Sequence, residues 1–121
     1  MGEHRSWPAT SEAFVANPRS NEEAVRQVRR LLTTPRVAKA ERYLNAETEQ
    51  RMLRRAEFAA DQIWCRFQVG IWRWREKHVL WLFHHVLKEK AETTRKDYKL
   101  AVARVLRATD KERITGVLER V

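Results

Sequence analysis

From Ala24 to the end of the chain, apolar side chains return every three or four residues, and that period predicts helix throughout. Ser20 and Glu23 make the S-x-x-E capping pattern, and Ala24, Val25, Val28, Leu31 and Leu32 follow it at helical spacing. Thr34-Pro35 then stops one helix and opens another, with Val37, Ala40, Glu41 and Leu44 on its period and Asn45 as a break or cap. Behind Ala46 the pattern is unbroken through Met52, Ala56, Ala59, Ile63, Phe67, Gly70, Trp74, His78, Trp81 and His85. Two further capping patterns, Thr94 with Asp97 and Thr109 with Glu112, open helices carrying Tyr98 to Leu106 and Ile114 to Val121.

The expected fold is all-α, with four to five helices dominated by one long, aromatic-rich helix over about residues 46–91. At 1.5 Å per residue that helix would measure ~70 Å, against a gyration radius of ~14 Å for a compact domain of this size. Either it breaks, with Gly70 the best place, or the molecule is an elongated bundle or hairpin; the continuous period favours the elongated form. Residues 20–121 read as a single helical domain, preceded by an irregular segment, 1–19, anchored by Trp7, Phe14 and Val15.

Composition agrees. With three glycines and three prolines in 121 residues there are too few turn formers for a sandwich, a barrel or a doubly wound sheet. The net charge of +9 comes with 18 arginines against 7 lysines, and both signs are spread evenly along the chain. Such a balance favours polyanionic surroundings, and arginine favours forked contacts to carboxylate or phosphate.

The stretch IWRWREKHVLWLFHH, residues 71–85, concentrates the unusual chemistry. On one continuous helix, Phe67, Ile71, Trp74, His78, Trp81, Leu82 and His85 share a face, while Val69, Trp72, Val79, Leu80, Phe83, Val86 and Leu87 share another. Apolar side chains would then cover about two-thirds of the circumference, well beyond the ~100° stripe of an ordinary surface helix. A helix apolar on two faces needs cover on both, so Trp64, Phe67, Ile71, Trp72, Trp74, Trp81 and Phe83 are the expected partner interface. Arg66, Arg73, Arg75, Lys77 and Lys88 are the expected contacts to a polyanion. The alternative is a monomeric bundle that buries both faces itself.

Other chemistry is sparse. His78 and His85 stand two helical turns apart, without the one-turn spacing that lets two imidazoles reach one ion, so no metal site is expected. No nucleophile elbow, phosphate loop or dinucleotide fingerprint is present, and neither catalysis nor a cofactor is expected. Cys65, in mid-helix, reads as a small buried hydrophobe. No run of ~18 uncharged apolar residues could span a bilayer. The first residues, Met1-Gly2-Glu3-His4-Arg5-Ser6, fit the M-G-x-x-x-[ST] pattern, which makes Gly2 a candidate acylation site. Glu3, Glu12, Glu22 and Glu23 argue against a cleavable presequence.

The functional expectation is a non-catalytic, basic helical accessory or scaffolding subunit of a larger intracellular assembly, such as a mitochondrial respiratory complex or ribosome. It would dock on other protein subunits through the Trp-rich helix. Two alternatives stand beside it: a self-contained helical domain binding RNA or DNA, and a membrane-surface adaptor using Gly2 acylation.

Overall fold

The structure, a computed structural model, describes residues 16–40 and 45–121. Gly2, His4, Trp7, Phe14 and Val15, and likewise Glu41 and Leu44, lie outside the described residues. Among those described every regular element is helical. They are α1 (Asn21–Leu32), α2 (Pro35–Ala40), α3 (Ala46–Phe67), a 3-10 turn (Ile71–Arg73), α4 (Glu76–Trp81) running into a π-helical turn (Leu82–Val86), α5 (Glu92–Ala108), and a 3-10 segment (Glu112–Arg120).

Side-chain caps set the starts of α1 and α3. The Glu23 amide donates to Ser20 Oγ at 3.2 Å, while the Glu23 carboxylate accepts from the Arg19 amide at 2.7 Å, one residue outside the expected box. Asn45 caps α3 by accepting from the Thr48 amide at 2.8 Å. Such caps contribute about 1 kcal/mol each. The two later boxes do not form. Helix α5 starts at Glu92, and Asp97 instead takes the Arg51 guanidinium at 3.1 Å. Thr109 ends α5, and its hydroxyl donates back to the Val105 carbonyl at 2.9 Å. In both cases a threonine or a carboxylate found a better partner than an orphan amide.

The largest correction concerns residues 46–91. The expected single helix stops at Phe67, because Gln68 turns into the left-handed region (φ 61) and its amide closes on the Trp64 carbonyl at 2.7 Å. A stop of that kind satisfies a terminal carbonyl that would otherwise be orphaned. Gly70 completes the break: a Cβ there would stand 2.5 Å from Pro18 Cδ and 2.6 Å from Gln27 Oε1. Only a residue without a side chain lets the N-terminal segment approach so closely.

Freed from one axis, the chain folds back instead of extending. Helix α3 carries Ala56, Ala59 and Ala60 at its core positions, small enough to bring α1 and α5 close. Val28, Leu31 and Leu32 of α1 and Ala101, Val102, Val105 and Leu106 of α5 join Met52 and Ile63 in one buried cluster. Ile71, Trp74, Val79, Leu82, Phe83 and Leu87 complete it from the segment after the break. Arg104 is buried with them at 2% exposure and is balanced by Glu49 at 3.0 Å.

Candidate polyanion interface

The break at Phe67 redistributes the residues that the continuous helix would have displayed on two faces. Ile71 and Trp74 are fully buried and Phe83 is 3% exposed, all within this chain's own core. These three therefore spend nearly all of their surface inside this chain's own core. Trp64, Phe67, Trp72 and Trp81 are half-buried. The Trp64 indole N–H donates to the Pro18 carbonyl at 3.3 Å. Phe67 meets His78 edge-on (ring centroids 4.6 Å apart) and Trp81 edge-on (5.4 Å). Among the described residues Leu100, 51% exposed, is the large apolar side chain left open to solvent.

The cationic residues are placed quite differently. A cleft of about 640 Å³ opens between the turn after α3, the first turn of α4 and the turn after α5. Arg73, Arg75 and Lys77, from the segment after α3, and Lys111 and Arg113, from the turn after α5, line it together with Val69, Trp72, Trp74, His78 and Ile114. Among the described residues no carboxylate lines it. Glu76, in the same helical turn, lies towards Arg120 at 3.5 Å.

Local structure explains why these side chains meet. After α5, Asp110 takes a left-handed conformation (φ 60), with its amide on the Arg107 carbonyl (3.2 Å) and the Lys111 amide on the Leu106 carbonyl (2.7 Å). This is the Schellman closure, with aspartate where glycine is usual. It turns Lys111 and Arg113 towards the loop that the break at Phe67 created. On the other side, His78 Nδ1 accepts from the Arg75 amide at 2.9 Å and pins the loop to the start of α4. Since a backbone N–H can only donate, the imidazole is neutral, with its proton on Nε2. Burial, aided by Lys77 and Arg75, lowers the His78 pKa from 6.5 to about 4.

The cleft therefore holds cations against their mutual repulsion. Burial, and then the charges of Arg113 and Arg75, push the Lys111 ammonium below the usual lysine range. A bound anion would offset the repulsion from Arg113 and Arg75 and favour the charged ammonium. The indole N–H groups of Trp72 and Trp74 also have no hydrogen-bond partner among the described residues.

Of the five cations expected to contact a polyanion, Arg73, Arg75 and Lys77 share this cleft. Arg66 instead lies over the Phe67 ring (4.9 Å), and Lys88 borders a separate shallow site with Phe83, His84, Arg95 and Val121. Lys111 and Arg113 escaped the sequence reading, since nothing in their local pattern links them to residues more than thirty positions earlier. Another cleft, near the start of α1, gathers Arg19, Arg26 and Arg30, with Glu23 among them.

Other candidates change too. Cys65 is exposed, correcting the buried position expected from mid-helix placement: it lies on the solvent side of α3. Among the described residues no cluster of histidine, cysteine, aspartate and glutamate could hold a metal ion, and no helix is long and apolar enough to cross a membrane. No protein-family model matches the chain, and neither curated proteins nor solved structures show a significant likeness to it.

Proposed function

We propose that this chain is a non-catalytic helical module that binds nucleic acid through its phosphates. The observation that carries this reading is the cleft in which Arg73, Arg75, Lys77, Lys111 and Arg113 converge with no lining carboxylate among the described residues. An evenly charged surface would pair its cations with acids; here five face one concavity, and three of them are arginines. Phosphate is a ligand that such forked donors fit, as is carboxylate, and a nucleic-acid backbone supplies it in a row. The burial of Ile71, Trp74 and Phe83 supports the same reading, because the aromatic segment is largely consumed by the core.

A second reading, the accessory subunit of a larger assembly, draws on the half-buried Trp64, Phe67 and Trp81. Phe67, Trp81 and the exposed His85 form a short aromatic ladder, with Trp81 and His85 stacked at 6.4 Å. On that reading the ladder docks on protein, and the basic cleft faces acidic protein or RNA within the assembly.

Fluorescence anisotropy of labelled RNA and DNA across a potassium chloride series tests the first reading. Phosphate binding predicts a log–log salt slope of about −0.7 per single-strand phosphate contacted. Arg113→Glu should weaken binding and flatten the slope. No association at low salt with any nucleic acid would overturn the nucleic-acid reading.

A further inference from the structure

The cleft holds more than charge. Trp72 stands half-buried on its wall, directly before Arg73, with an indole N–H that meets no partner among the described residues. The cleft is also concave and only about 640 Å³ in volume, in the range of small-ligand pockets. A duplex keeps its bases paired and stacked, so it offers such a cleft phosphates but no free base face unless a base is unstacked at a cost of a few kcal/mol. A single strand can turn a base inward, laying its π face on an indole while its flanking phosphates reach arginine and lysine.

We infer that the cleft selects single-stranded nucleic acid, with one base stacked on Trp72 and the adjoining phosphates held by Arg75, Lys111 and Arg113. This rests on the proposed nucleic-acid binding and narrows it to a strand form and a residue. Stacking is sequence-tolerant because every base has a π face, so affinity should vary little with base identity.

The test compares a short oligothymidylate, its abasic counterpart of equal length and a duplex of that length, each titrated against the full chain. The phosphates are the same in the first two, and only the base is lost. The strand should bind roughly ten- to a hundredfold more tightly than the abasic oligomer. Trp72→Leu should erase that difference, leaving both at the abasic affinity, and Trp72→Phe should restore part of it. Circular dichroism of both variants checks that they remain folded, and the abasic comparison on the unsubstituted chain stands even if neither does. Equal affinity for strand and abasic oligomer, or a duplex bound as tightly as the strand, overturns the inference while leaving phosphate binding intact. Equal binding to vesicles of phosphatidylserine, with the same dependence on Arg113, would overturn it in favour of a lipid surface. Failure of every nucleic acid to bind removes the underlying reading instead.

Discussion

Asn17 holds the turn at Gly70 from both sides: its Oδ1 accepts from the Gly70 amide at 3.0 Å, and its Nδ2 donates to the Gln68 carbonyl at 3.0 Å. One amide side chain thus satisfies the two backbone groups that the end of α3 leaves exposed. It does so across about fifty residues of sequence, and so couples the N-terminal segment to the position of the basic cleft.

Removing that coupling should loosen the break. Asn17→Ala is expected to cost about 1–2 kcal/mol, because a donor and an acceptor lose their partner together. Gly70→Ala should cost about 1–3 kcal/mol, since its Cβ meets Pro18 and Gln27 below van der Waals distance. Urea unfolding of both variants checks the order; a neutral or stabilising Gly70→Ala would show that the close approach does not exist.

Acid should destabilise the fold through His78. Its folded pKa of about 4 lies below the ordinary 6.5, so between those values the unfolded chain binds more protons. Stability is full above the ordinary value and falls as pH drops towards 4, by at most about 3 kcal/mol. His78→Gln, which stays uncharged, should flatten that pH dependence in thermal unfolding monitored at successive pH values.

Tryptophan truncations should rank by burial. Trp74→Ala is expected to cost about 3–5 kcal/mol, a large share of the 5–15 kcal/mol by which domains are usually stable. Trp81→Ala, at a half-buried position, should cost clearly less. If the two change places in denaturant unfolding, Trp74 is not at the centre of the core.

The buried Arg104 offers a sharper contrast. Arg104→Met exchanges the charge for apolar volume and should fall within about 1–2 kcal/mol of the parent, on either side. Glu49→Ala, which withdraws the carboxylate 3.0 Å from a guanidinium with almost no access to water, should be the more damaging change. Thermal melts of the pair, with the double variant to complete the cycle, measure the difference.

The all-α class, the core faces of α1, α3 and α5, and the caps at Ser20 and Asn45 were legible in the chain itself. Helical periodicity and capping are local, acting over four residues or fewer, and local order is what a sequence displays directly. Arg73, Arg75 and Lys77 were legible as cations among aromatics for the same reason. The end of α3 was not: Gly70 marked it as one option, but the period ran straight through to His85. What settled it was Asn17 and Pro18 reaching Gln68 and Gly70, a contact that exists only once α1 is packed on α3. That contact sends Trp74 into the core, and the Schellman turn at Asp110 brings Lys111 and Arg113 together with Arg73 and Arg75. Charge and helix belong to the sequence; the cleft belongs to tertiary structure, because its walls are far apart along the chain and meet only when the core closes.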